Sequence, residues 1–206
     1  MTAIIMATML EAKPFVLGMS LRQTRKVPFR LFQNNEILLI ISGIGKANAA
    51  VATAYACLKF EPACICNLGA AGSTHSGHNL GEIFHIQKIV ETDRPDLETG
   101  TPCVHQADLL AGFNTAILAT SDRAVLDPKE RKEISTTADL IDMEGASVVQ
   151  ACRTFKENCY LFKFVSDTPD HTRDQDIVDH IRAYRKTFYD FFVDSVKPML
   201  PVSGSL

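Results

Sequence analysis

The chain has no apolar run long enough to cross a bilayer, no excess of basic residues, no CxxC pair and no Ser- or Pro-rich linker. Each absence removes a class of protein. The N-terminal apolar stretch from Thr2 to Leu10 is about half a membrane span. It also lacks the basic start and small-residue cleavage site of a signal peptide, so a cytoplasmic protein is expected. Lysine and arginine number 21 against 24 acidic residues, a formal charge of −3. That balance leaves no electrostatic footprint for nucleic acid or an anionic membrane surface. The six cysteines, Cys57, Cys64, Cys66, Cys103, Cys152 and Cys159, lie mostly inside apolar segments without zinc or redox spacing, and read as reduced core thiols. His75 and His78 are neighbours in a Gly/Ser-rich loop with no further ligands nearby, so neither a metal nor another cofactor is expected. There is no GxGxxG followed by an acid, no GxxxxGK[ST] and no GxSxG, which argues against dinucleotide, P-loop and hydrolase-elbow chemistry.

What is present is 206 residues, 46% of them hydrophobic and 22% charged, enough for one folded domain and too few for two of full size. The domain is expected to span residues 1–200, with 201–206 as a tail. Ala3 to Met9 reads as a buried strand, followed by a helix with Pro14 in its first turn. Val27 to Phe32 and Glu36 to Ser42 read as strands paired around an Asn34-Asn35 turn. Lys46 to Phe60 is an alanine-rich helix, and Ala63 to Leu68 a buried strand closed by Gly69-Ala70-Ala71-Gly72. Strands are expected at Glu82–Val90, Thr115–Ala119 and Cys159–Val165, with Arg94–Gly112 as loop and Asp139–Ile141 leading into Met143-Glu144. Asp127-Pro128 caps a short helix to Ile134. A helix follows Glu144 to Lys156, and Asp174 to Lys197 is amphipathic, with Ile177, Ile181, Tyr184, Phe188 and Phe191 or Phe192 inward. Alternating strands and helices without an internal repeat give an α/β fold: a single three-layer domain, its central mixed sheet flanked by helices.

Sites in such sheets gather at the carboxyl ends of strands. Three acids stand there: Glu11 after the first strand, Glu144 at a helix start and Asp167 after the last strand. A half-buried carboxylate beside a ligand can exchange a proton near neutrality, although each could equally be a helix N-terminal acid favoured by the macrodipole. Gly43 and Gly45, and Gly69 and Gly72, mark strand ends where backbone could approach a ligand closely.

The segments Ser42-Gly43-Ile44-Gly45-Lys46, Asn67-Leu68-Gly69-Ala70-Ala71-Gly72, Asp142-Met143-Glu144-Gly145-Ala146 and Val165-Ser166-Asp167 stand in the order and near the spacings of the nucleoside phosphorylase superfamily. The chain resembles most closely the bacterial 5'-methylthioadenosine/S-adenosylhomocysteine nucleosidases. The resemblance implies hydrolysis of the N-glycosidic bond of a purine nucleoside, in a homodimer, with Asp167 protonating the base at N7 and Ser166 supporting its loop. It further implies that Glu11 orients the attacking water, Glu144 holds the ribose hydroxyls and Met143 packs under the sugar. Backbone groups at Val125 would read the purine edge, Ala71 and Gly72 would line the substrate site, and Ile44 and Ile177 would line the pocket for the 5' substituent.

Phosphorylase relatives bind phosphate through arginines and a serine; the corresponding places here read Ala7-Thr8-Met9-Leu10-Glu11, Asn67 and Ala70. A carboxylate at Glu11 repels phosphate, so water is the expected nucleophile. The chain departs from the nucleosidase pattern at Ala70, where serine is usual, and at Ala124, where an aromatic ring stacks on the base. It is also shorter between Val90 and Thr115. Two alternatives follow: a futalosine hydrolase with a bulkier 5' group, or a purine nucleoside-binding module that has lost its chemistry. Arg173 reads as a solvated side chain.

Overall fold

The computed structural model describes residues 1–171 and 173–201, so residues 202–206 of the expected tail lie outside the described residues. In chain order the first half contains β1 (Thr2–Met6), α1 (Met9–Gly18), β2 (Arg22–Arg25), β3 (Arg30–Gln33), β4 (Ile37–Ile41), α2 (Lys46–Phe60) and β5 (Cys64–Ser73). The second half contains β6 (Ile83–Pro95), β7 (Pro102–Gln106), β8 (Thr115–Thr120), α3 (Pro128–Ile134), β9 (Leu140–Asp142), α4 (Gly145–Phe155), β10 (Cys159–Asp167) and α5 (Asp174–Phe191). The strands run in the order β10-β6-β8-β9-β5-β1-β4-β3-β2, with β7 on β6 and an additional β10–β5 pairing. That extra pairing closes β5, β10, β6, β8 and β9 into a ring, from which β1, β4, β3 and β2 extend as a wing. The sheet is mixed, as expected: β5 is parallel to β1 and β10 but antiparallel to β9.

β1 is buried at all five positions, because it is paired on both edges and covered by helices on both faces. Its alternation sends Ala3 and Ile5 into one core with residues of α2 and α4, and Ile4 and Met6 into a second with residues of α1 and α5. The second core is aromatic. Phe15 of α1 meets Phe188 at 5.9 Å, Tyr189 at 5.3 Å and Phe192 at 5.6 Å between ring centroids. These contacts clamp α1, and with it Glu11, against α5 and the turn that follows.

Several expected boundaries move, each for a local reason. Met9 opens α1 instead of ending β1, because Thr8 caps the helix: its hydroxyl accepts from the Glu11 backbone N–H, and the Glu11 side chain accepts from the Thr8 N–H. Pro14 therefore sits inside α1, not in its first turn. The Leu10 carbonyl that a helical residue 14 would have engaged accepts instead from Arg185 Nη1 at 2.7 Å. The strand expected from Val27 begins at Arg30, after Pro28, which has no N–H to donate. β2 pairs with β3, although its residues are all exposed and carry no apolar alternation.

The Gly69–Gly72 quartet does not close β5. The strand runs through it to Ser73, held by β10 and then β9. The segment expected as loop from Arg94 to Gly112 contains β7, paired antiparallel with β6. The last helix keeps its α geometry only to Phe191 and continues as a π turn over Phe192–Val196 and a 3-10 turn over Lys197–Met199. Of the two candidate inward phenylalanines there, Phe192 is the buried one.

Among the described residues no helix is long and apolar enough to cross a membrane. All six cysteines are free, and five are buried.

Phe15 is fully buried at the junction of α1 and α5. Phe15→Ala is expected to cost about 3–5 kcal/mol of unfolding free energy, read from urea denaturation. A loss under about 1 kcal/mol, the size of a surface effect, would show that the aromatic cluster does not anchor α1.

Candidate active site

All ten residues singled out for a site line one cleft, with a free volume of about 170 Å³, at the carboxyl ends of β1, β5 and β10. Glu11 enters from α1. One carboxylate oxygen, Oε2, accepts from the Thr8 hydroxyl at 2.6 Å and the Thr8 N–H at 3.2 Å; the other, Oε1, accepts from the Ala70 N–H at 2.9 Å. A side chain on residue 69 would collide with it, since a Cβ there would lie 2.8 Å from Glu11 Oε1.

Asp167 ends β10. The β5–β10 register slips between Val165, opposite Ala71, and Asp167, opposite Gly72; the irregularity falls at Ser166, where a bulge can re-aim the following side chain. Ser166 donates from Oγ to Asp167 Oδ1 at 2.6 Å. Gly72 makes room in turn, because a Cβ there would lie 2.7 Å from Asp167 Oδ2 and 3.1 Å from Arg131 Nη2. The glycines expected to let a ligand approach thus first admit two protein carboxylates, with Ala70 and Ala71 between them on the cleft wall.

Glu144 occupies the N-cap position of α4, and its side chain, instead of capping the helix, accepts at Oε1 from the Gly45 N–H at 2.8 Å. Burial, reinforced by the Asp142 charge and more weakly by Glu11, pushes its carboxyl up from 4.5 to about 7 against the opposing pull of Lys163 and the Gly45 N–H. Asp142 is held by partners of its own. It accepts from Thr120 at 2.6 Å and the Gly145 N–H at 2.8 Å, and forms an ion pair with Lys163 at 2.8 Å. Burial alone would lower the Lys163 ammonium, but Asp142, Glu144 and Glu11 outweigh it and hold it above its ordinary value.

Met143 lies beside Glu144 on the wall, Val125 and Ala124 form another side, and Ile44 and Ile177 stand at the cleft as well. Ile44 is 55% exposed, so the cleft is open on that side. With Ala70 and Ala124 in place, those stretches of wall offer neither a hydroxyl nor a stacking ring. Arg173 is exposed and paired with Asp176 at 2.6 Å, in keeping with a solvated role.

The sequence reading missed two buried cations. Lys163 had a signal, being the one charged residue within the apolar run Cys159–Val165. Arg131 had none: it is one of several charged residues in the short helix α3, yet it is only 2% exposed. Its Nε donates to the Val125 carbonyl at 2.8 Å, Nη1 to the Ser73 carbonyl at 3.0 Å and Nη2 to Asp167 Oδ2. Among the described residues no three His, Cys, Asp or Glu side chains are grouped as a metal site requires.

A family model described as the phosphorylase superfamily matches residues 19–134. The 5'-methylthioadenosine/S-adenosylhomocysteine nucleosidase of Bacillus velezensis is 30% identical over 161 residues, covering 66% of this chain and 70% of the relative. The aminodeoxyfutalosine nucleosidase of Campylobacter jejuni is 24% identical over 162 residues, covering 68% and 71%. Among solved structures, the Arabidopsis thaliana 5'-methylthioadenosine nucleosidase in apo form has a TM-score of 0.84 at 20% identity, over 100% of this chain and 96% of that one. A futalosine hydrolase mutant of Helicobacter pylori has a TM-score of 0.83 at 17% identity, over 93% and 96%. The chain belongs to the phosphorylase superfamily, with the 5'-methylthioadenosine/S-adenosylhomocysteine nucleosidases among its relatives.

Proposed function

We propose that this protein hydrolyses the N-glycosidic bond of a purine nucleoside, releasing the free base and a 5-substituted ribose. The observation that carries this reading is that Glu11 and Asp167, from opposite ends of the chain, face one cleft across the Gly69–Gly72 stretch of β5. Asp167 serves N7 of the purine as general acid, with Ser166 fixing its carboxyl group. The C1'–N9 electron pair leaves with the base, and the ribosyl carbon becomes oxocarbenium-like. Glu11, held by Thr8 and the Ala70 N–H, accepts a proton from water as its oxygen attacks C1'. Glu144 accepts hydrogen bonds from the ribose hydroxyls, Met143 packs against the sugar, and Val125 borders the base.

Water is favoured over phosphate because, among the described residues, the cations at or behind the cleft wall are already paired with carboxylates. Arg131 is tied to Asp167, Lys163 to Asp142, and Arg123 to Glu130 at 2.5 Å. The 5' substituent falls between Ile44 and Ile177, at the open side, which leaves room for methylthio, homocysteinyl or bulkier groups such as that of futalosine.

The protein is further read as a cytoplasmic homodimer. Val51 and Leu58, seven residues apart on α2, are 60% and 70% exposed, and Ile44, which lines the cleft just ahead of that helix, is exposed as well. A second copy of the chain is the proposed cover. Light scattering should give twice the chain mass for the native protein and a monomer for Val51→Asp; a monomeric native protein would contradict the assignment.

Incubation with 5'-methylthioadenosine, S-adenosylhomocysteine, inosine and futalosine, with and without phosphate, should release free base without any phosphate requirement. Glu11→Gln should slow turnover by about 10²-fold or more while leaving binding of a ground-state analogue in place. Asp167→Asn retains an oxygen to accept from Arg131, so it should fold yet lose activity on a similar scale of about 10²-fold. Near-normal turnover in either variant would remove the role assigned.

Glu144 gives a pH prediction. Its folded value near 7 lies above its ordinary 4.5, so the native state holds a proton that the unfolded chain releases. The associated stability is complete below about pH 4.5 and is lost as the pH rises through about 7. Glu144→Gln should remove that part of the slope in urea midpoint against pH. Parallel profiles for the native and variant proteins would contradict it.

A further inference from the structure

Arg131 is among the largest fully buried side chains of the described residues, and nothing in the hydrolytic reading requires it. It reaches from α3 into the cleft wall at the corner where Asp167 approaches Gly72, against the base-facing residue Val125. A guanidinium carries five N–H donors. Three are spent on Val125, Ser73 and Asp167. The other two, on Nη1 and Nη2, have no protein acceptor among the described residues.

We propose that Arg131 makes this cleft select purines bearing oxygen at C6 over purines bearing an amino group there. The inference rests on the reading that Asp167 faces N7. A 6-aminopurine presents N–H donors next to N7 and needs an acceptor. Each acceptor at this corner already takes one donor, so an amino group would have to compete for what remains: the Val125 carbonyl takes Arg131 Nε–H, Asp167 Oδ1 takes the Ser166 hydroxyl, and Asp167 Oδ2 takes Arg131 Nη2–H. An amino group would also meet a fixed array of donors. A 6-oxopurine presents O6 and N7 as adjacent acceptors, the edge that arginine recognises on guanine.

The same guanidinium assists departure of the base. When the C1'–N9 bond breaks, its electron pair enters the ring and negative charge collects on O6 as well as on the imidazole nitrogens. The two free guanidinium N–H groups beside O6 stabilise that charge where it develops by hydrogen bonding, so departure does not depend on the Asp167 proton alone. Asp167 first takes up a proton from solvent at Oδ1, with Oδ2 still accepting from Arg131; water oxygen then bonds to C1', Glu11 takes the water proton, and the base leaves carrying the Asp167 proton.

The test compares pairs that differ only at C6: 5'-methylthioinosine against 5'-methylthioadenosine, and inosine against adenosine. The expected result is a kcat/KM higher by about tenfold or more for the 6-oxo member, with Arg131→Lys, which keeps the charge but loses the fork, bringing the ratio close to one. A preference for the 6-amino member, a native ratio near one, or an unchanged ratio in a folded Arg131→Lys overturns the inference and leaves hydrolysis standing. Release of base from neither member of either pair counts against hydrolysis instead. Selectivity is then decided by equilibrium binding of the free bases to the native protein. Tighter binding of hypoxanthine than of adenine upholds the inference; equal affinity, tighter adenine, or no binding of either at millimolar concentration overturns it.

Discussion

The cleft depends on how closely carboxylates can come to the backbone of β5. At residues 69 and 72 the strand has no side chain, and an added Cβ would lie within 3 Å of Glu11 at one position and of Asp167 at the other. The strand is nevertheless part of the core, paired with β10 through both glycines, with β1 up to Asn67 and with β9 from Gly72, so hydrogen bonds hold its backbone on one edge at Gly69 and on both at Gly72. A flexible loop could carry the same two glycines without defining where the acids sit. Here the glycines are a rigid reference against which α1 and β10 deliver their carboxylates, and a bulge at the end of β10 turns Asp167 toward the site.

Gathering acids in a dry cleft is costly unless each finds compensation, and the four found here do so differently. Asp142 has Lys163, Asp167 has Arg131, and Glu11 has three donors from Thr8 and Ala70. Glu144 has the Gly45 N–H as its one hydrogen-bond donor and no cation within ion-pair distance among the described residues. Each of the two buried cations is paired with one of the protein's own carboxylates, so Arg131 at the cleft wall keeps two N–H donors for a neutral ligand but offers little net positive charge to a dianion. That is the electrostatic reason a phosphate nucleophile is poorly served while a neutral water is not.

Much of this was legible in the residues. α2 begins and ends at the residues its alanine-rich composition indicates, and the buried strands announce themselves as unbroken apolar runs. The acids at strand ends needed only the rule that α/β sites lie at carboxyl ends, and the resemblance then placed ten residues that line the same cleft. The misses share a cause: tertiary contacts overrode local pattern. β2 and β7 exist because β3 and β6 offer edges to pair with, not because their own sequences alternate. β5 runs past its glycines because β10 and β9 hold it there. Arg131 is one charge among several in a seven-residue helix, and only the folded chain distinguishes it from its solvated neighbours.

The uneven compensation of the four acids also bears on what the cleft waits for. Glu11 and Asp167 have donors on both carboxylate oxygens, so a ligand can add little to their stability by donating to them. Glu144 is different. Burial holds its carboxyl near 7, and one of its oxygens receives a single backbone N–H. A neutral ligand lowers the cost of ionising such a group by supplying hydrogen-bond donors, and charge-assisted bonds of this kind are roughly twice as strong as neutral ones. A cis-diol brings two hydroxyl donors on one rigid ring. The group least satisfied by the protein is thus the one placed to gain most from a cis-diol, and this is the physical support for assigning the ribose to Glu144.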